Sequence, residues 1–294
     1  MVKQTTIKMD LLSAQHSIWE RLVRIAKSEK IGNAYLFSGR PGSGKEGLAI
    51  KFAQFLNCND ADEQACDICP SCIRFKQLQH EKLKIIVPLP IPKKNTNDSV
   101  SKTDLVIDEY VKSISKKAQD LFYKIQIPKA NRILIQSIRE LRRSLLLKHD
   151  SVGRNIVLFF DAHLLSSGQA EAANALLKIL EEPPENTTLV LVTDHKELML
   201  KTILSRCQNI QIPRLPDNFI LEWLIENDLD ADTADFIVGL SRGNIHQARN
   251  LSSHPVEETI GQVRSLVQTV VYQSPDKWRT FTQTYGKLAG HNPA

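Results

Sequence analysis

Apolar residues follow two different patterns along the chain, and the alternation of these patterns predicts the fold. Between residues 15 and 30, Ile18, Leu22 and Ile25 follow helical spacing. Five short segments are instead almost continuously apolar, and helical stretches separate them; they are 33–39, 83–90, 155–162, 187–193 and 207–213. Buried strands that alternate with helices are typical of a parallel sheet with helices on both faces. The chain is therefore predicted to be an α/β protein.

The strand-like segments stop after residue 213, which marks a second domain. Three short helical runs within 218–251 predict a small all-helical unit. Residues 253–294 continue with helical periodicity, but they are too few to bury a full core alone. We expect a first domain at 1–213, a small three-helix domain at 214–252 and the start of a third helical unit at 253–294.

Residues 93–127 form an insertion between two strand-like segments. The insertion opens lysine-rich and becomes amphipathic from Asp104 to Tyr123. Its apolar positions are Val106, Tyr110, Val111, Ile114 and Leu121. We expect a helix packed on the domain surface, with a partner or DNA contact as the alternative.

Composition and charge place the chain among ordinary globular proteins. Hydrophobic residues make up 42% and charged residues 24%, and the net charge of +5 permits nucleic-acid contact without requiring it. No run approaches the ~18–20 apolar residues of a membrane span. The first residues lack the apolar core of a signal peptide. We expect a cytoplasmic protein.

The segment GRPGSGKE, residues 39–46, nearly completes a phosphate-binding loop between a strand and a helix. Gly39, Gly42, Gly44 and Lys45 fit a loop whose backbone N–H groups and lysine surround phosphates. Glu46 stands where such loops carry a Ser or Thr hydroxyl that ligates Mg²⁺. These residues are candidates for a degenerate nucleotide site.

Glu46 leaves three interpretations open. In the first, Glu46 opposes nucleotide binding, because a carboxylate ~4 Å from a phosphate charge costs about 4 kcal/mol at an effective dielectric constant near 20. The helix dipole stabilises a carboxylate in the first turn, so Glu46 would itself occupy the phosphate position. Alternatively, Glu46 rotates away or ligates Mg²⁺, and nucleotide still binds to Lys45. The third interpretation is a glycine-rich turn that meets no phosphate. ATP and Mg²⁺ binding is therefore doubtful.

A second departure from ATPase chemistry follows the strand at 155–162. Asp161 is placed to hold Mg²⁺, but Ala162 and His163 stand where many ATPases have a glutamate that activates water. Loss of a positioned base typically lowers the rate ~10²- to 10⁴-fold. His163 either replaces that base or is structural. We expect no catalysis by this chain itself.

Four of the five cysteines crowd into residues 58–72. Cys58, Cys66, Cys69 and Cys72 have the spacing C-x₇-C-x₂-C-x₂-C, which suits a closed tetrahedral Zn²⁺ site. An iron–sulfur cluster and four unligated reduced thiols are the alternatives. Cys207 stands apart.

The order of these motifs resembles the AAA+ subunits of the bacterial DNA polymerase III clamp loader. The glycine loop, the cysteine cluster, NALLKILEEPPENTTLVLVT (174–193) and LSRC (204–207) follow one another. The likeness covers roughly residues 10–252, interrupted by the insertion. The nucleotide-binding motifs of this chain depart from the motor pattern, and in this respect the chain resembles the delta-prime (δ′) type of subunit in this family.

The resemblance implies that 214–252 is the helical lid of the AAA+ domain and that 253–294 begin a helical collar, and it implies several roles for single residues. Arg206, with Ser205, would be an arginine finger that reaches the ATP site of a neighbouring subunit. Thr193 matches the position that senses the γ-phosphate in motor subunits, and His246 stands where motors have an arginine. Implied partners are the motor and delta-type subunits, the sliding clamp and primed DNA. The alternatives are an ATP-hydrolysing motor subunit and a zinc-containing interaction module outside replication.

Overall fold

A computed structural model describes residues 10–28, 30–91, 99–146 and 153–253, with scattered helical positions between 261 and 283; for 99–104 only the backbone is described. The chain divides into two compact units. The first comprises Met1–Ile220 and Arg242–His246, and the second comprises Leu221–Ser241 and Gln247–Ala294.

Five parallel strands form the sheet of the first unit, in the order β2-β3-β4-β1-β5. The strands are Ala34–Gly39 (β1), Leu83–Ile86 (β2), Asn155–Phe159 (β3), Thr187–Thr193 (β4) and Gln208–Ile212 (β5). Each lies within a segment predicted from the apolar pattern, so the predicted parallel α/β sheet is confirmed. The order places β1 between β4 and β5, so the glycine loop emerges from the interior of the sheet.

Helices cover the sheet and continue beyond it. They are Leu11–Ala14 (α1), His16–Ala26 (α2), Lys45–Leu56 (α3), Pro70–Lys76 (α4), Ser99–Gln119 (α5), Ile135–Leu146 (α6), Glu171–Glu181 (α7), Lys201–Leu204 (α8), Asp217–Glu226 (α9), Ala231–Ser241 (α10) and Ile245–Ser252 (α11). Short 3₁₀ helices occupy Ala162–Ser166 and Lys196–Leu198.

Alternate residues of β1 show how the two faces are covered. Tyr35 and Phe37 contact Phe52 of α3, with ring centroids 5.8 and 6.3 Å apart. Leu36, which points to the opposite face, belongs to the buried cluster that contains residues of α6 and α7. Because both faces are buried, the strand is apolar almost throughout, as the sequence pattern indicated.

The insertion differs in one respect from its prediction. Its helix α5 ends at Gln119 and not near Tyr123, because Asp120 Oδ1 accepts a hydrogen bond from Phe122 N at 2.9 Å and the chain turns. Tyr110 Oη donates to the carbonyl of Ile85 at 3.2 Å, so α5 lies beside the edge strand β2. The next residues carry side chains into the unit, as described below.

The three helices predicted within 218–251 are present as α9, α10 and α11. In the second unit, α10 buries Ala234, Ile237 and Val238, and the Arg249 guanidinium lies 5.2 Å from the centre of the Trp223 ring. The predicted collar falls largely outside the described residues. Across the described helices, none has the length and apolarity needed to cross a membrane.

Candidate functional site

The glycine loop links the end of β1 to the first turn of α3. Gly44 caps α3 with φ 80°, a left-handed conformation that favours glycine, and Lys45 begins the helix. Gly42 has φ 69°, and a Cβ there would come within 1.8 Å of Asn244 Oδ1. The strand, loop and helix predicted around Gly39 are therefore present, and the Asn244 side chain and the Ile245 backbone pack closely against the loop.

Lys45, the lysine expected to contact phosphate, is bound entirely within the chain. Its Nζ lies 2.5 Å from Asp194 Oδ1, 2.5 Å from the Arg40 carbonyl oxygen and 3.2 Å from Ser43 Oγ. Three acceptors match the three N–H donors of an ammonium group. Burial lowers the pKa of Lys45, and the charge of Asp194 opposes that shift.

Glu46 lies at the centre of the pocket and pairs with two lysines. Its Oε2 is 2.6 Å from Lys117 Nζ, and its Oε1 is 2.9 Å from Lys124 Nζ. Burial alone would raise the pKa of Glu46, but the charges of the two lysines outweigh it and lower the pKa to about 2. The carboxylate is therefore ionised at neutral pH.

Lys117 comes from α5, and its side chain is only 1% exposed. Besides Glu46, its Nζ donates to the carbonyls of Leu121 and Tyr123 at 2.8 and 2.7 Å. All three ammonium donors are satisfied, as a buried charge requires. Burial lowers the pKa of Lys117, whereas Glu46 raises it. Full hydrogen bonding and the ionised Glu46 favour the charged ammonium.

Lys124 connects Glu46 to the acid that sequence analysis assigned to Mg²⁺. Its Nζ lies 2.6 Å from Asp161 Oδ1, so it bridges two carboxylates. Burial would lower the pKa of Lys124, but Glu46, Asp161 and Asp194 together raise it above its usual value. Asp161 itself has φ 50° at the end of β3, a conformation uncommon for a residue other than glycine. Its carboxylate is thus engaged by a lysine where a metal was expected.

The remaining space in this pocket is small and electrically balanced. The cavity lined by the loop, Lys117, Lys124, Asp161, Thr193 and His246 has a volume of about 20 Å³. One water needs ~10–15 Å³ of such volume, so the cavity has room for about one water. Three lysines and three carboxylates form the ion pairs, and their charges sum to zero.

The side chain expected to sense the nucleotide is also hydrogen-bonded within the chain. Thr193 Oγ1 accepts a hydrogen bond from His195 N at 3.0 Å and lies 3.1 Å from His163 Nδ1. Burial lowers the pKa of His163, and it lowers that of His246 to about 4. Both imidazoles are therefore neutral at pH 7. His246 contributes no cation in place of the motor arginine.

Arg206 lies elsewhere in the first unit, just after α8, and its surroundings are open. Its side chain is 36% exposed, and its Nη2 lies 2.7 Å from Glu181 Oε1 at the end of α7. Its Nη1 donates to the Thr202 carbonyl at 2.9 Å. The guanidinium is therefore at the surface and held at two nitrogens.

The residues beside Arg206 fix the backbone that carries it. Ser205 Oγ donates to the Thr202 carbonyl at 3.1 Å, and Arg206 Nη1 lies 3.4 Å from the same hydroxyl oxygen. Cys207 packs against the buried cluster of the sheet, and burial raises the pKa of its thiol to about 12. Ser205 is thus a local support, and Cys207 is an apolar anchor.

The four clustered cysteines meet beside α4. Their sulfur atoms all lie within 4.8 Å of one another. Cys69 caps α4. The backbone N–H groups of Cys66, Cys69 and Cys72 donate to the sulfur atoms of Cys58, Cys66 and Cys69, respectively, at 3.2–3.4 Å. The Trp19 indole donates to the Glu63 carbonyl at 2.9 Å, which ties the intervening loop to α2.

This donor set fits a metal ion. Tetrahedral Zn–S bonds of ~2.3 Å place sulfur atoms about 3.8 Å apart, and Cys66 and Cys72 are 3.9 Å apart. Burial would raise the pKa of Cys69, but N–H groups of Asn59 and Cys72 lower it to about 6. Burial and neighbouring thiols raise the pKa of Cys72, a shift that a bound cation would oppose. The four cysteines could therefore bind a metal.

Sequence reasoning missed Lys117 and Lys124, although a signal for Lys117 was present. On α5, Tyr110, Ser113 and Lys117 follow helical spacing, and the structure buries Ser113 and Lys117. A lysine on the apolar stripe of a helix needs an acidic partner, and Glu46 was an acid without one. Lys124 lies after the helix, where no periodicity pointed to its contacts.

Together these features define a class of protein. A five-stranded parallel sheet with a glycine loop after an interior strand is an α/β domain of the AAA+ type, here with its pocket occupied by its own ion pairs. The family model described as "DNA polymerase III, delta subunit" matches residues 14–216. The chain belongs to that family, and the δ′-type recognition made from the sequence is confirmed.

Curated relatives agree with this assignment. The chain is 28% identical over 239 residues to DNA polymerase III subunit delta' of Bacillus subtilis, covering 81% of this chain and 59% of that protein. It is 27% identical over 267 residues to the delta' subunit of Pseudomonas aeruginosa, covering 90% and 68%. It is also 29% identical over 213 residues to subunit tau of Bacillus subtilis, covering 72% and 30%. The match thus spans little more than half of the first relative's length.

Proposed function

We propose that this chain is a δ′-like subunit of the DNA polymerase III clamp loader that hydrolyses no ATP itself and supplies Arg206 to the ATP site of a neighbouring subunit. The observation that carries the proposal is the contrast between two sites. The nucleotide pocket is filled by internal ion pairs and has room for about one water. Arg206 is exposed at the end of a short helix.

Nucleotide binding would require this pocket to be rebuilt. Lys45 would have to leave Asp194, and Glu46 would lie beside the incoming phosphates. Asp161 would have to exchange Lys124 for Mg²⁺. Each change breaks a buried or partly buried ion pair and leaves a charge without its partner, which is strongly unfavourable. These costs favour a subunit that works without its own nucleotide.

Arg206 suits a role in another subunit's chemistry. A guanidinium is always charged at neutral pH, and its planar donors match the geometry of phosphate oxygens. An arginine supplied in trans stabilises the charge of a phosphoryl-transfer transition state and is worth ~10³–10⁵ in kcat elsewhere. Ser205 supports the segment, and Cys207 anchors it.

The proposal includes the assembly in which such a finger acts. We infer that motor and delta-type subunits, the sliding clamp and primed DNA are partners of this chain, in the cytoplasm. The relatives are named as subunits of DNA polymerase III, and these names support this context. The proposed domains are 1–213 for the AAA+ domain, 214–252 for the lid and 253–294 for part of a collar.

The cysteine cluster is proposed to hold Zn²⁺ through Cys58, Cys66, Cys69 and Cys72. Four thiolates close the coordination shell, so the ion would stabilise the module and perform no catalysis. Elemental analysis of the purified chain should find about one zinc per chain, and Cys72→Ser should abolish it. Iron with visible absorbance would show a cluster, and no metal would show free thiols.

The test of the proposed function is the steady-state ATPase rate of a reconstituted clamp loader with clamp and primed DNA. Arg206→Ala in this chain should lower the rate strongly, and the isolated chain should show no turnover. Lys201→Ala, which removes an exposed lysine of the short helix α8, is the matched control and should leave the intact assembly's rate nearly unchanged.

Three results would contradict the proposal. An unchanged rate with Arg206→Ala would remove the finger from the mechanism. Turnover by the isolated chain that Lys45→Ala abolishes would identify a motor subunit. Failure of the chain to associate with any motor subunit would instead favour an interaction module outside replication.

A further inference from the structure

Glu181 occupies an unusual position for a glutamate. It is the last residue of α7, and Glu182, Pro183 and Pro184 follow it. The carboxyl end of a helix carries partial negative charge, so a carboxylate there is disfavoured unless a cation is close. Arg206 is that cation, with Nη2 2.7 Å from Glu181 Oε1.

The arginine is held from two directions. Nη2 contacts Glu181 on α7, while Nη1 donates to the Thr202 carbonyl on α8 at 2.9 Å. Two contacts at different nitrogens of a planar guanidinium fix the direction of its plane as well as its position. A guanidinium has five N–H donors, so two such contacts leave donors for an oxyanion.

The backbone behind the arginine is fixed as well. Cys207 packs on the buried cluster, which also includes Ile179 and Leu180 of α7. The apolar anchor of the Arg206 segment and the helix that carries Glu181 therefore belong to one packed body. The distance between Glu181 and Arg206 is set by this core and not by a flexible loop.

We propose that Glu181 is a positioning residue that holds Arg206 in the orientation in which it meets a neighbouring subunit's phosphates. This inference rests on the proposed function of Arg206. Glu181 touches no nucleotide in this arrangement and acts only through the guanidinium. By restricting the side chain before the subunits meet, it reduces the conformational freedom that the arginine loses on reaching the transition state.

A positioning role for Glu181 predicts a specific pattern in the steady-state kinetics of ATP hydrolysis. A finger acts on the transition state more than on bound ATP, so a poorly oriented finger lowers kcat and leaves the KM for ATP unchanged. Because the ion pair is half-exposed, the loss should be about 2- to 5-fold and not the full effect of removing the finger.

The experiment uses the reconstituted clamp loader with clamp and primed DNA. Glu181→Ala should lower kcat about 2- to 5-fold at constant KM, and Glu181→Gln, which keeps an acceptor oxygen, should recover part of the loss. The matched control is Glu182→Ala, the adjacent exposed glutamate, which should have no effect. In single-turnover hydrolysis, Glu181→Ala should cause no further loss when Arg206→Ala is already present.

The outcomes separate this inference from the function on which it rests. If Arg206→Ala has no effect, the proposed function fails and the positioning role fails with it. If Arg206→Ala lowers the rate but Glu181→Ala matches the Glu182→Ala control, only the positioning role is overturned. An equal loss from Glu181→Ala with and without Arg206 overturns it too, as does an increased rate, which would show that Glu181 restrains the finger.

Discussion

Glu46 and Glu181 of the first unit both pair with cations, and the two pairs differ in almost every physical respect. Glu46 is buried in the glycine-loop pocket between Lys117 and Lys124, with atoms of the loop and of α5 around it. Glu181 is half-exposed at the end of α7 and pairs with Arg206 alone among the described residues. The same residue type therefore appears once in a closed internal network and once beside an accessible cation.

Burial decides what each pair can do. Buried charges have lost their hydration, so each depends on its partner, and removing one member of a buried pair costs ~3–5 kcal/mol. Exposed pairs are solvated and typically contribute ~0–1 kcal/mol to stability. The pocket should accordingly hold the fold and contribute little chemistry, whereas the Arg206 edge should contribute chemistry and little stability.

The largest expected effect is loss of stability when Glu46 is replaced by alanine. The change leaves Lys117 buried without its acidic partner, so the free energy of unfolding should fall by ~3–5 kcal/mol. Equilibrium urea denaturation monitored by circular dichroism measures it. Glu182→Ala is the exposed control and should change stability by less than ~0.5 kcal/mol. A loss below ~1 kcal/mol from Glu46→Ala would show that the pocket is solvated.

A paired substitution sharpens this test. Glu46→Leu together with Lys117→Met removes one negative and one positive charge, and it leaves Lys124 paired with Asp161. Buried ion pairs can often be replaced by apolar residues of similar volume without loss. The double variant should therefore be more stable than Glu46→Ala. Equal destabilisation would mean that lost packing, or the loss of the Lys117 hydrogen bonds to the carbonyls of Leu121 and Tyr123, outweighs the unpaired charge.

Acid should affect the pocket next most strongly. The pKa of Glu46 is about 2 in the folded chain and ~4.3 in an unfolded one, so its contribution is present above pH ~4.3 and disappears as pH falls toward 2. Between these values, the wild type should lose ~2–3 kcal/mol more than the Glu46→Leu, Lys117→Met double variant. Urea denaturation of both proteins at several pH values measures the difference. Parallel curves would contradict an ionised buried Glu46.

The sequence predicted the sheet well because its strands are buried on both faces and therefore apolar throughout, as Leu36 and Phe37 show. It also located Glu46 and Arg206, since both stand in ordered local motifs. It could not supply the partners of these residues. The helical spacing of α5 can indicate that Lys117 is buried, but Lys117 and Lys124 lie 71 and 78 residues from Glu46, and no local pattern encodes which acid they contact. Ion pairs of this kind follow from the fold and not from spacing.

Cys207 is intermediate in burial between Glu46 and Glu181, so its replacement should have an intermediate effect on stability. Its half-buried thiol packs on the core while the preceding residue faces solvent. Cys207→Ser places a hydroxyl at this apolar contact and should lower the free energy of unfolding by ~1–2 kcal/mol. Cys207→Ala, which adds no polar group, is the control and should lose less. If serine is tolerated without loss, the residue is not an anchor for Arg206.

The smallest stability effect is expected where the largest effect on ATPase is proposed. Arg206→Ala removes an exposed pair, so the free energy of unfolding should change by no more than ~0.5 kcal/mol. Urea denaturation of the isolated chain measures this without any partner subunit. A loss above ~2 kcal/mol would mean that the guanidinium supports α7 and α8, and a reduced ATPase rate could then reflect local unfolding. A stable Arg206→Ala chain beside an unstable Glu46→Ala chain would establish that the pocket supports the fold and the Arg206 pair does not, so that a lower ATPase rate of Arg206→Ala would report on chemistry.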